Sequence, residues 1–299
     1  MNAVRVLALP ALLLLAGCGG NRHADTPEDA ALRRNAQSAG MAFSLERPAE
    51  AAAQYGRALE RARARDDAGA IGDYGYDMAV AQLAANRPKD ALATVRMTRA
   101  ELARRGKLSF PALDLAEATA LYRLGNKTES SRIAGQVEAT ADPAAAARAS
   151  FLRGLIADET GDMAGLDNAL TRLARPASTD QQADLDELLA RQAMHRRQFQ
   201  SAATDAEHAA DLRRTILDYR GMARALAVAA DAEAHAGNLQ AAAKLYMRAG
   251  QSAAAQGDTD AARQWLRRAA VPGSDPATRR AAQQALAALP KGPVTPARR

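Results

Sequence analysis

Five side chains in this 299-residue chain are of the kinds that ligate metals or act as thiol and imidazole catalysts: Cys18, His23, His195, His208 and His235. A structural zinc site needs four such ligands around one point, and a zinc protease needs two histidines four apart on one helix face. No pair here has that spacing. The chain also lacks the G-x-S-x-G elbow of a serine nucleophile and the G-x-x-x-x-G-K-[ST] loop that cradles phosphates. Carboxylates are abundant, at 34, but on amphipathic helices they serve solubility and i,i+4 pairing, and a catalytic pair cannot be recognised from its separation in sequence. These residues predict no enzymatic activity, no metal and no cofactor. They point to binding.

The one cysteine sits in a telling place. Met1 and Arg5 make a weakly basic start, an apolar stretch runs from Val6 to Ala16, and Leu15-Ala16-Gly17-Cys18 closes it. That stretch is far shorter than the ~20 apolar residues needed to cross a bilayer, and its layout is that of a secretory signal. Leu15 to Cys18 resembles the lipobox of bacterial lipoproteins. The resemblance implies a signal peptide over 1–17, acylation of Cys18 as the first residue of the mature chain, and a lipidated tether over 18–26. The tether reaches about 30 Å fully extended. Two or more acyl chains anchor a protein stably where one does not. Gly19 and Gly20 follow the cysteine, and by the enteric sorting rule the lack of an aspartate beside it implies the outer membrane, on its periplasmic face. The alternative is an ordinary signal peptide with an incidental cysteine. With Cys18 acylated no thiol is left for a disulfide, so the exported domain must be held by its apolar core alone.

The elements behind the signal read as helices. The chain is 48% hydrophobic but only 4% aromatic, so alanine and leucine, both strong helix formers, carry its apolar content. A turn-like block recurs: Glu46-Arg47-Pro48-Ala49-Glu50-Ala51, Asn86 to Ala91, Gly125 to Ser130, Gly161 to Leu166, Arg197 to Ala202 and Gly237 to Ala242. The last residues of these blocks are 40, 39, 36, 36 and 40 positions apart. Each lies between two alanine-rich amphipathic stretches, as the turn of a helical hairpin would. Gly or Asn supplies the left-handed residue that ends a helix, and Pro48 and Pro88 suit the first turn of the next.

This pattern resembles the tetratricopeptide repeat (TPR), a helix-turn-helix unit of 34 residues. The family's small, bulky and small positions read Ala51, Tyr55 and Ala58 in the first repeat and Ala242, Tyr246 and Ala249 in the sixth. Ala91, Val95 and Thr98 fill them in the second, and Ala262, Leu266 and Ala269 in a further copy after Gly257-Asp258. Gly40 and Phe43 match the glycine and aromatic of the first helix. Small residues let paired helices approach, and the bulky one fills the gap between repeats. Ser130 and Leu166 depart from the pattern, and the wide spacing calls for longer helices or looser connections. The expected fold is an all-α, TPR-like solenoid of about fourteen helices over 27–289, with Asp275 capping the last and a disordered, basic, proline-rich tail over 290–299.

A TPR array presents a concave face lined by the first helix of each pair. The turn register puts Arg191, Met194 and His195 on that face in the fifth pair, and Arg224, Asp231 and His235 in the sixth. Arg191, His195 and Arg224 would then form a basic strip for an acidic or C-terminal segment of a partner, since the guanidinium fork suits carboxylates; the alternative is solvated arginines in an arginine-rich chain. Arg57, Arg61 and Arg65 recur at i,i+4 near the anchor and offer either anionic head-group contact or a plain exposed face. Trp265, beside Leu266, is expected to seal the last repeat. The formal charge of +6 favours an acidic partner surface, and nucleic acid is not the partner expected of an exported lipoprotein. The expected function is that of a membrane-anchored periplasmic adaptor or assembly scaffold with an envelope protein partner. The roles TPR lipoproteins fill include secretion or pilus assembly, outer-membrane barrel assembly and recruitment of cell-wall hydrolases. The alternative is a cell-wall or polyanion-binding lipoprotein.

Overall fold

The computed structural model describes residues 29–290 apart from Ser109 and Ala141. Cys18, the signal, the whole tether with His23, and residues 291–299 of the tail lie outside the described residues. Fourteen helices follow one another: α1 (Ala30–Ser44), α2 (Pro48–Ala64), α3 (Ala68–Ala84), α4 (Pro88–Arg104), α5 (Pro111–Arg123), α6 (Lys127–Glu138), α7 (Pro143–Thr160), α8 (Met163–Leu173), α9 (Thr179–His195), α10 (Phe199–Thr215), α11 (Tyr219–His235), α12 (Leu239–Ala255), α13 (Thr259–Ala269) and α14 (Pro276–Ala288). Consecutive helices pack as hairpins, and first helices also touch first helices along the series α3, α5, α7, α9 and α11. The result is an all-α, TPR-like solenoid. Among the described residues no helix is long and apolar enough to cross a membrane.

Local chemistry sets where each helix begins. Asp29, Asp67, Asn126, Asp142, Asp162, Asp218, Asp258 and Asp275 accept backbone N–H bonds at helix N-termini, each satisfying donors that have no partner inside the helix. Most helices, though not α6, α8, α13 and α14, end in one way. The residue just past each turn donates its N–H to a carbonyl five positions back, as Arg47 to Ala42, Arg87 to Gln82, Asp162 to Ala157, Asn238 to Glu233 and Asp258 to Ala253. That closure requires a left-handed residue before the donor. Glycine supplies it at Gly125, Gly161, Gly237 and Gly257, and Asn86 does so at φ 57°. Glu46, Asp66, Arg197 and Leu217 take the same conformation without being glycine or asparagine, at a cost of roughly 1–2 kcal/mol each that the hairpin packing must offset.

The small positions of the repeat lie where the hairpins close. Ala51, Ala91, Ser130, Leu166, Ala202, Ala242 and Ala262 are all buried. Ser130 stays satisfied by donating its hydroxyl to the Ala118 carbonyl at 2.7 Å. Every hairpin contributes at least one fully buried branched residue, among them Leu59, Ile71, Leu113, Leu166, Leu188, Leu226 and Leu266, each stabilising by about 1.5–3 kcal/mol. Trp265 is partly buried against the last core cluster, beside the fully buried Leu266. The spacings have a physical source: 17-residue helices such as α2, α3, α4, α11 and α12 give the widest, whereas in the middle α5, α6 and α8 are only 13, 12 and 11 residues long, partly offset by longer connections from α4 to α5 and from α8 to α9. The array also curls. Asn86, in the α3–α4 turn, donates to the Gly257 carbonyl in the α12–α13 turn at 3.4 Å, and Arg220 of α11 approaches the Asn86 side-chain oxygen at 3.5 Å.

Candidate functional site

The inner face, formed by the first helices, is crossed by polar contacts that recur with the repeat. Tyr122 with Glu159, Asp158 with His195, Glu187 with Arg224, and Asp231 with Arg268 each join residues 37 apart, at 2.5 to 2.8 Å. Each contact therefore ties one first helix to the next. Arg148 of α7 reaches Asp184 of α9 in the same way, at 2.7 Å. Arg220 adds a bond to Asp258 at 2.6 Å.

Glu187 is the hub. Its carboxylate is fully buried and takes Arg224 at 2.5 and 2.8 Å, Arg213 at 2.9 Å and Arg191 at 3.1 Å. Arg213, itself fully buried on α10, also donates to Asp184 at 2.8 Å and to Asp218 at 2.6 Å. The Phe151 ring lies among three guanidiniums, those of Arg148, Arg213 and Arg224, at 5.6, 5.1 and 5.4 Å from its centroid. A ring face attracts cations, more so when water is excluded.

The electrostatics follow from this crowding. Burial pushes the Glu187 carboxyl up, but the Arg224, Arg213 and Arg191 guanidiniums outweigh it and hold the group well below its ordinary 4.5. Burial wins at Asp184, which stays above its ordinary 3.8 despite Arg148 and Arg213, with Glu187 nearby adding to the rise. Burial together with the cations of Arg220 and Arg224 pushes Arg123 down to about 10. Arg123 donates to the Leu83 carbonyl at 2.5 Å.

Of the residues assigned to the groove from sequence, Arg191, His195, Arg224 and Asp231 take part in these first-helix contacts, Met194 and His235 pack towards α10, and each has a partner within the chain. Arg191 also binds Asp158 at 2.5 Å, and His195 Nε2 lies 2.8 Å from the same carboxylate. Arg191 and Arg224 are brought together on Glu187. Asp231 accepts from Tyr246 at 2.6 Å and from Arg268 at 2.5 Å. His235 bonds the Asp231 carbonyl at 2.7 Å and stacks on Phe199. Met194 packs with Ala193, Ala202, Ala203 and Ala232. Reversing the charge of Arg191 and Arg224 would set two new carboxylates against buried Glu187. Near the N-terminus, Arg61 binds the α1 cap Asp29 at 2.7 Å, with Arg65 at 3.9 Å, while Arg57 donates to Gln54. His208 lies 2.7 Å from Asp186.

Sequence reasoning missed Arg148, Phe151, Asp184, Glu187 and Arg213. A signal existed for part of the set: acids and arginines recur 36 or 37 apart, as at 148 and 184 or 187 and 224. Nothing in the sequence marks Arg213, whose helix carries the outer side of the hairpin.

Together the hairpins, the buried small positions and the repeat-to-repeat ladder define a helical-repeat solenoid of TPR type. No protein-family model and no curated protein matches the sequence. Among solved structures, the chain is similar to a tetratricopeptide repeat protein from Parabacteroides merdae, at 12% identity over 87% of this chain and 100% of that one, with a TM-score of 0.48. It is also similar to a signal-transduction ATPase with a tetratricopeptide repeat sensor from Pyrococcus horikoshii, at 15% identity over 85% of this chain and 41% of that one, with a TM-score of 0.49.

Proposed function

We propose that this protein is a bacterial lipoprotein, acylated at Cys18 and held on the periplasmic face of the outer membrane, whose helical array serves as a protein-protein adaptor or assembly scaffold. The observation that carries the adaptor role is the continuous hairpin array, since stacked repeats offer an extended surface with few demands on any one residue. The anchoring half rests on the Leu15-Ala16-Gly17-Cys18 run, the lone cysteine and Gly19-Gly20. Secretion or pilus assembly, barrel assembly and hydrolase recruitment are the pathways such a scaffold would serve.

In-cell crosslinking of the tagged, full-length protein, followed by mass spectrometry, tests this reading, with Cys18→Ser as the control. The expected result is a small stoichiometric set of envelope proteins, depleted in the control. Recovery of cell-wall fragments alone would overturn it in favour of polyanion binding, a second reading favoured by the excess of basic over acidic residues, 40 against 34.

A further inference from the structure

Where the curl closes, two guanidiniums from distant repeats meet on one turn. Arg123, the last residue of α5, donates to the Leu83 carbonyl at 2.5 Å. Arg220, in the first turn of α11, lies 3.5 Å from the Asn86 side-chain oxygen. Leu83 and Asn86 belong to the same helix end, since the Asn86 N–H bonds the Leu83 carbonyl at 3.1 Å.

The charges that act most on this place are already committed, with one exception. Arg224 is held by Glu187 at 2.5 and 2.8 Å. Asp218 caps the Gly221 N–H at 2.9 Å and takes Arg213 at 2.6 Å. Asp258 caps Ala261 at 3.3 Å and takes one nitrogen of Arg220 at 2.6 Å. The second terminal nitrogen of Arg220 is buried and has no hydrogen-bond partner. Arg123 is the exception: it pairs with no carboxylate among the described residues, and its bond goes to a neutral carbonyl. Arg148, Arg191, Arg213, Arg220 and Arg224 each have a carboxylate. Burial and the cations of Arg220 and Arg224 push Arg123 down only to about 10, so it stays charged at neutral pH. Neither side chain is sealed off: Arg123 is partly exposed and Arg220 is 20% exposed.

We propose that Arg123 and Arg220 form a binding site for a phosphate group, which ties α5 to α11 and locks the curl of the array. One guanidinium fork satisfies both oxygens of a carboxylate, whereas a tetrahedral phosphate has acceptors for two forks on different helices. The bound anion turns repulsion between two neighbouring cations into attraction. It joins the third pair to the sixth beside the Asn86–Gly257 contact. The site goes beyond the adaptor reading and does not depend on it.

Isothermal titration calorimetry of the full chain with inorganic phosphate tests it, with ionic strength held constant by chloride. Arg123→Gln keeps a donor for the Leu83 carbonyl and removes the unpaired charge, and Arg220→Gln removes the second fork. Each is expected to weaken phosphate binding about tenfold or more. Arg57→Gln, which removes an exposed cation from α2, should change it by less than about twofold. Phosphate at ten times its Kd should raise the parent's melting temperature by roughly 3 °C and leave that of Arg123→Gln within about 1 °C. Without phosphate, Arg123→Gln should melt no lower than the parent, because a charge lacking a counter-ion has been removed. Glycerol 3-phosphate identifies the source: binding equal to that of inorganic phosphate assigns the site to a phosphate carried on a larger molecule, and no binding assigns it to the free ion. No phosphate binding by the parent, equal binding by Arg123→Gln, an equal loss in Arg57→Gln, or an Arg123→Gln variant that melts below the phosphate-free parent would each overturn the proposal.

Discussion

Glu187→Gln is the most informative single change in this molecule. It removes one buried negative charge from among three guanidiniums. Arg213 keeps Asp184 and Asp218, and Arg191 keeps Asp158. Arg224 alone loses its carboxylate, retaining the Phe151 ring at 5.4 Å. Breaking one side of a buried ion pair costs about 3–5 kcal/mol because the other charge stays buried without a partner. With two of the three arginines still paired, the lower end applies, about 3 kcal/mol. For a chain of this size that corresponds to a fall in melting temperature of roughly 6–12 °C. Helicity followed on heating, and again in urea, measures it. A melting point within about 2 °C of the parent would refute the hub. The double change Glu187→Gln/Arg224→Leu closes the cycle: it should recover at least about 1 kcal/mol relative to additivity, since the stranded charge goes with its partner.

Three further outcomes follow from the same ion pairs and from the helix packing. Glu187 is held below its ordinary 4.5, so it contributes stability that is fully present above that pH and is lost as pH falls below it. Asp184, held above its ordinary 3.8, acts with the opposite sign and loses its contribution as pH rises through its folded value. The acid limb of the urea midpoint against pH should therefore be flatter in Glu187→Gln than in the parent, and an identical slope would remove the assignment. Ala242→Leu should cost about 1–3 kcal/mol by overpacking the sixth hairpin, and an unshifted urea midpoint would tell against the repeat register. Gly154→Ala sets a methyl 2.5 Å from Leu188 Cδ1 and should destabilise, whereas Gly135→Ala meets nothing closer than Arg153 at 3.9 Å. Gly135→Ala should therefore gain up to about 1 kcal/mol from helix propensity; equal urea midpoints for the two variants would contradict that packing.

Much of the fold was legible because the repeat constrains small residues. Ala51, Ala91 and Ala242 announce close helix approach, and Gly125, Gly161 and Gly237 announce helix ends. The turns at Glu46, Asp66, Arg197 and Leu217 show the limit of that reading: once hairpin packing fixes the backbone, the left-handed residue need not be glycine. The site was less legible. Arg191 and Arg224 were placed on the inner face by register, but their shared partner Glu187 was not, because the curl of the array decides which side chains meet across repeats. The same curl brings Asn86 to Gly257 across 171 positions, which no local period encodes. In the middle repeats the sequence expectation of longer helices or looser connections resolves into looser connections, with α6 and α8 only 12 and 11 residues long.

The most direct test of the central claim is how the crosslinked complex responds to salt before the crosslink is made. Cells carrying the wild-type chain or Cys18→Ser are permeabilised, washed at high ionic strength, crosslinked, and the captured proteins are quantified. A scaffold with a packed protein interface should keep a stoichiometric envelope partner through the wash in the wild type and lose it in Cys18→Ser. Surface-charge attraction to a polymer is screened within about 3 Å at molar salt. Complete loss of every partner at high salt, or equal capture by both forms, would contradict the membrane-tethered adaptor.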